Sequence, residues 1–78
     1  MSVGRICTRV VETIDADDNA SVATRRMKTE RVGTLVVLDG DGRPQGIVTD
    51  RDIALRVVGE RRDAEKTAVA DIMSAPVD

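Results

Sequence analysis

The stretch Thr34-Leu35-Val36-Val37-Leu38-Asp39-Gly40-Asp41-Gly42-Arg43-Pro44-Gln45-Gly46-Ile47-Val48-Thr49-Asp50 decides the fold. Thr34–Leu38 is a continuous β-branched and apolar run, which reads as a strand covered on both faces. Asp39-Gly40-Asp41-Gly42-Arg43-Pro44 reads as a hairpin turn, because Gly supplies a positive φ and Asp side chains close local turns. The return strand is residues 45–48, and a helix opens at Thr49 or Asp50. Ile53, Ala54, Val57 and Val58 fall on one side of that helix, away from Arg51, Arg56 and Glu60. Gly59 lies near its end.

Upstream, Val10, Val11, Thr13 and Ile14 predict a short strand over residues 10–14, which Glu12 limits. The run Asp15-Ala16-Asp17-Asp18-Asn19 supplies turn and capping chemistry, with Asp18 the preferred N-cap. A helix follows to about Glu30. Ala20, Ala23 and Met27 form a narrow apolar stripe opposite Arg25, Lys28 and Arg31, and Gly33 ends the helical region. Residues 60–66 hold six charges among seven positions. They predict a solvated helix end or linker with no core to offer.

The order strand, helix, strand, hairpin, strand, helix makes the class α+β. The first two strands run parallel through a right-handed helical crossover, and the second and third pair antiparallel. With both helices on one face of a three-stranded mixed sheet, the other face or an edge stays open, and pairing with a second copy would cover it. Size argues the same way. A 78-residue chain buries only roughly 60% of the surface its unfolded form exposes, a marginal core without a partner.

An internal repeat is also visible. Val3, Ile6, Cys7, Thr8 and Val11 match Val69, Ile72, Met73, Ser74 and Val77 at a constant offset, so the tail reads as the opening of a second unit.

Composition excludes much chemistry. The chain has no His, Phe, Trp or Tyr, and its net charge is -2. There is no imidazole base, no Cys/His zinc set and no aromatic platform for nucleic acid, so neither an enzyme nor a nucleic-acid binder is expected. The lone Cys7 reads as a small buried hydrophobe, and a reducing cytoplasm suits a chain with one cysteine. The opening residues carry charges throughout, without a signal or membrane run. Ten of the twelve basic residues are Arg, which suits bidentate contacts with anions and carboxylates.

Two apparent signatures fail on spacing. Gly40, Gly42 and Gly46 lead into a strand, whereas a dinucleotide fingerprint opens a helix. Asp39 and Asp41 begin like a calcium loop, but Pro44 stands where that loop needs Gly. The informative segment is Gly46-Ile47-Val48-Thr49-Asp50-Arg51-Asp52, where a strand meets a helix. One reading is a capping box between Thr49 and Asp52. The other is a ligand site, in which helix-start amides, the Thr49 hydroxyl and the Arg51 guanidinium take an anion while Asp52 accepts from a ribose diol.

At this point the sequence resembles a cystathionine-β-synthase (CBS) domain. The resemblance rests on Ile14 with its acidic cap, Met27, Val32-Gly33-Thr34-Leu35-Val36-Val37, the Asp41-Gly42 turn and Gly46-Ile47-Val48-Thr49-Asp50-Arg51-Asp52-Ile53. It implies one motif over residues 1–66, with its core at 10–59. Residues 67–78, with Val69-Ala70-Asp71-Ile72-Met73-Ser74-Ala75-Pro76-Val77, look like the start of a second motif that stops at Asp78. Cys7 stands where the family usually has Met.

The family implies a β-α-β-β-α motif used in pairs, binding adenosyl ligands such as AMP, ATP or S-adenosylmethionine and regulating an attached or partner protein. By position, Thr49, Arg51 and Asp52 resemble its ribose and phosphate contacts. Ile14, Asp15, Val32, Gly33 and Ile47 resemble its adenine pocket. No cofactor is required, and no metal, nucleic acid or membrane is implied. The expected assembly is a homodimer through pairing of CBS motifs, because a cleft built by two motifs would have to be built by two chains. The alternative is a structural dimerisation module whose nucleotide site is vacant.

Overall fold

Three strands and two principal helices build the computed structural model, which describes residues 11–75. Strand β1 (Thr13–Asp15) leads through helix α1 (Ala20–Glu30) to β2 (Thr34–Leu38), and a hairpin returns as β3 (Pro44–Thr49). Helix α2 (Asp50–Ile53) follows and widens into a π-helical turn over Ala54–Val58, and a 3-10 turn forms at Val69–Asp71. The sheet order is β1-β2-β3, with β1 parallel and β3 antiparallel to β2. This is the expected mixed sheet. The readings placed on Val10, Cys7 and the first copy of the repeat lie outside the described residues, as do Pro76, Val77 and Asp78.

Cross-strand register sorts the sheet into two faces. Ile14, Leu35, Val37 and Val48 are buried together on the inner face, where Ala20, Ala23 and Met27 of α1 and Val57 meet them. The small alanines let α1 approach the sheet closely, which compensates for the lack of aromatic bulk. The opposite face pairs Thr34 with Thr49 and Val36 with Ile47. There β2 departs from the expected double cover: Thr34 is exposed and Val36 and Leu38 are half-buried. A continuous apolar run marks both faces as fit for burial, but this single chain buries one.

The hairpin forms as read. Asp39 Oδ1 accepts from the amides of Asp41 (2.8 Å) and Arg43 (3.0 Å), and Gly42 takes φ +79°. That φ is cheap only for glycine.

Three expectations are corrected. First, Asn19 rather than Asp18 caps α1, its Oδ1 accepting from the Val22 amide at 2.9 Å. The Asn19 amide nitrogen also donates to the Glu65 carbonyl at 3.3 Å, a bond no carboxylate could make. Second, Arg31 rather than Gly33 takes the left-handed conformation that ends α1, at φ 58°. Third, the stretch after Ile53 does not keep a 3.6-residue stripe. Its i→i+5 turn buries Val57 and leaves Ala54 exposed and Val58 72% exposed.

Residues 60–66 also do more than carry charge. The first amides of α1, at Ala20 and Ser21, donate to the carbonyls of Thr67 (2.9 Å) and Ala64 (3.1 Å), and Ala64 packs against the core. These are donors that a helix start cannot satisfy internally. The tail continues inward: Val69 and Ile72 are fully buried, and Ser74 forms an antiparallel bridge with Ile47 on the outer edge of β3.

The cap assignment has a direct check. Asn19→Ala should destabilise the fold by about 1 kcal/mol, measured by urea or thermal unfolding. Asp18→Ala should stay within about 0.5 kcal/mol, because its carboxylate makes only an exposed 3.4 Å contact with the Asp15 amide. Equal losses would refute the assignment.

Candidate functional site

The end of β3 and the start of α2 form one tight turn. Thr49 Oγ1 accepts from the Asp52 amide at 3.1 Å, and Asp52 Oδ2 accepts from the Thr49 amide at 3.0 Å. Both halves of the capping box are therefore made. The Asp50 amide donates to the Gly33 carbonyl at 2.9 Å. Two of the first three amides of α2 are thus already engaged, which narrows the anion site of free amides expected from the sequence.

What stays available is side-chain chemistry. Asp52 is only 9% exposed, and among the described residues no donor reaches its Oδ1. Arg51 is exposed beside it. Gly33 lies across from this turn, and a Cβ there would stand 3.1 Å from Asp50 Oδ2, a tight contact that a small turn of the exposed Asp50 side chain would relieve. Ile47, 42% exposed, sits two residues upstream of Thr49 on the outer sheet face.

The remaining predicted residues divide between the turn and other parts of the fold. Ile14 is in the core under the sheet. Val32 lines a groove between the helices with Met27, Lys28, Asp50 and Ile53. Asp15 pairs with Leu38 at the far end of β2 from Thr34 and Thr49. Four strand steps separate those ends, about 13 Å. Around Asp15, a pocket of about 300 Å³ carries Asp17, Asp18 and Asp39, a setting hostile to phosphate. One chain therefore gathers Val32, Gly33, Ile47, Thr49, Arg51 and Asp52 around this turn and leaves Ile14 and Asp15 apart from them.

The outer face carries a second feature that no sequence motif marks. Val36, Pro44, Gly46, Ile47, Ser74 and Ala75 enclose an apolar pocket of about 360 Å³. The period-2 alternation of β2 could have placed Val36 there beside Ile47. Nothing in the tail pattern could have placed Ser74 and Ala75. Among the described residues no group of three or more Asp, Glu, Cys or His is placed to hold a metal ion, and no helix is long and apolar enough to cross a membrane.

This β-α-β-β-α arrangement, with a threonine and an aspartate locked across the last strand-to-helix turn, defines a class of small α+β domains. The CBS domain family model matches residues 3–59, and the chain belongs to that family. It is 37% identical over 73 residues to the CBS domain-containing protein YhcV of Bacillus subtilis, covering 94% of this chain and 51% of that protein. Among solved structures it resembles a CBS-domain protein of Burkholderia ambifaria, at 39% identity and a TM-score of 0.81, covering 88% of this chain and 50% of the other. It also resembles the CBS domain protein PAE2072 of Pyrobaculum aerophilum, solved in complex with AMP, at 26% identity and a TM-score of 0.80, covering 90% and 53% of the two chains. The chain spans from about a tenth to about half the length of the curated relatives it matches.

Proposed function

We propose that this chain is a non-catalytic regulatory CBS module that binds an adenosyl ligand of the AMP, ATP or S-adenosylmethionine class. The observation that carries the reading is the clustering of Thr49, Arg51 and Asp52 with Gly33 and Ile47 beside an open, partly apolar sheet face. Asp52 Oδ1 would accept from the ribose diol, and Arg51 would pair with phosphate. Ile47 offers an apolar wall for the base. A second CBS motif, supplied by another copy, would cover the face on which Val36 and Ile47 lie and close the cleft. The module would work in the cytoplasm, where its ligand is held and a lone cysteine stays reduced.

Regulation follows by linkage. A ligand gripping both motifs shifts their relative orientation only by its differential affinity for the two arrangements. The AMP complex of the Pyrobaculum protein supports the ligand class. Val32 stands beside the turn, in a groove with Asp50 and Ile53, whereas Ile14 and Asp15 would take part only through the matching residues of a second motif.

Calorimetry with AMP tests the site. Asp52→Asn keeps the shape of the turn but removes the charge that attracts a diol, and it should weaken binding about tenfold, equivalent to about 1.4 kcal/mol. Asp52→Ala should weaken it at least as much and also cost about 1 kcal/mol of stability through the lost cap. Unchanged affinity in both variants would overturn the assignment.

A second reading, a structural dimerisation module with a vacant site, is favoured by the completed capping box, which gives Thr49 and Asp52 a role without any ligand. Thermal unfolding with AMP, ATP, S-adenosylmethionine and NADH separates the two. A ligand at a hundredfold its Kd adds about 2.7 kcal/mol, and no shift with any of the four favours the scaffold.

A further inference from the structure

Residues 67–75 leave the amino end of α1 and turn at Val69–Asp71. They bring the carbonyls of Ile72 and Met73 to Arg56, whose Nη1 donates to them at 3.0 and 3.4 Å. A helical turn ends in unpaired carbonyls and the negative end of its peptide dipoles, so a guanidinium is well matched there. One residue further, Ser74 and Ile47 exchange two backbone hydrogen bonds, Ile47 N to Ser74 O at 2.9 Å and Ser74 N to Ile47 O at 2.8 Å. Beyond the buried side chains of Val69 and Ile72, residues 72–74 are thus held at two polar points. In sequence these points bracket the Thr49–Asp52 turn, with Ile47 two residues before it and Arg56 four residues after it.

We infer that Arg56 and the Ile47 edge form a two-point clasp on residues 72–74, and that the clasp couples the strand-to-helix turn to the position of that segment. Arg56 is a positioning residue here, since its guanidinium faces backbone carbonyls. The coupling half rests on the reading of the turn as a nucleotide site. Closing the clasp on the tail requires β3 and the π-helical turn that continues α2 to hold one relative angle, because each carries one of the two grips. A ligand bridging Ile47, Thr49 and Asp52 favours a single angle between β3 and α2, and α2 runs directly into the turn that carries Arg56. Linkage then makes the effect reciprocal: a closed clasp strengthens nucleotide binding by the factor by which nucleotide strengthens the clasp.

Amide hydrogen exchange on the whole chain, with and without AMP, reads both halves. Without ligand, Arg56→Gln should speed exchange at Ser74 and Ile47 at least tenfold and leave the core amide of Val37 unchanged. Arg56→Lys should lie between wild type and Arg56→Gln. With AMP, the wild-type Ser74 and Ile47 amides should slow at least threefold, and calorimetry should find Arg56→Gln weaker for AMP by a comparable factor.

Unchanged Ser74 exchange in Arg56→Gln overturns the clasp. Weaker AMP binding with unchanged Ser74 exchange also overturns it, by making Arg56 a direct ligand contact. AMP binding without protection of Ser74 and Ile47 overturns the coupling while the functional reading stands. No binding of AMP, ATP or S-adenosylmethionine to the wild type overturns the functional reading and the coupling together.

Discussion

Ile72→Ala should remove about 2–5 kcal/mol from the unfolding free energy, the range for truncating a large aliphatic side chain in a closed core. Ile72 is fully buried and ranks among the largest such side chains in the molecule. Its loss takes away transfer energy and leaves a cavity between the tail and the inner sheet face, where Leu35, Val37 and Val48 cannot all shift to fill it. The effect is large because the whole domain has little to spare: small domains are stable by about 5–15 kcal/mol, and short ones sit toward the lower end. A loss of that size should lower Tm by at least about 8 °C. Val11→Ala, at an exposed position, should stay within about 0.5 kcal/mol. A denaturant titration with unchanged m value would identify lost stability rather than a changed unfolded state. If Ile72→Ala behaved like Val11→Ala, the tail would be a loose extension.

That prediction marks where sequence reading stopped. Strands β2 and β3 and helix α1 were legible because each is written locally: a β-branched run for β2, Asp-Gly turn chemistry for the hairpin, an Ala20-Ala23-Met27 stripe for α1. Val11 and Glu12, read as strand, lie outside β1, which extends to Asp15 instead. Residues 60–75 were not legible, because their roles are defined by what they meet. Ala64 and Thr67 are carbonyl partners for the start of α1, and Val69 and Ile72 fill the space beside it. The cap shifted from Asp18 to Asn19 for the same reason. Both residue types cap well, and the Glu65 carbonyl selects the one carrying an amide donor. The stripe after Ile53 failed because a π-helical turn leaves no composition signal. At the site, the threonine and aspartate of the strand-to-helix turn were visible from their three-residue spacing. Which other residues stand near them depends on the order of strands and the side of the sheet.

Gly46→Val should be the other severe substitution, and its physics is opposite to that of Ile72→Ala. A Cβ on Gly46 would stand 2.6 Å from the Ser74 carbonyl oxygen, 3.1 Å from the Met73 sulfur and 3.4 Å from the Ala75 Cα. The nearest atom is backbone, so no rotamer change relieves it. Valine favours strands over glycine by up to about 1 kcal/mol, but that gain cannot offset the collision. Either β3 bends or residues 73–75 lift away. Lifting breaks both Ile47–Ser74 hydrogen bonds, each worth about 0.5–1.5 kcal/mol net, and loosens the packing of Ile72. A loss of about 2–4 kcal/mol follows, within the range for overpacked sites with broken hydrogen bonds. Gly40→Ala is the matched control, since a Cβ there meets nothing within 4 Å, and it should change stability by less than about 0.5 kcal/mol. Unfolding measurements give the magnitudes, and exchange at the Ser74 amide tells which element moved. Fast exchange at Ser74 with a protected Val37 means that the tail has lifted. Loss of protection at both means that β3 has bent and carried the sheet with it. A Gly46→Val variant as stable as the wild type would show that the tail does not lie against β3, and the buried position of Ile72 would fall with it.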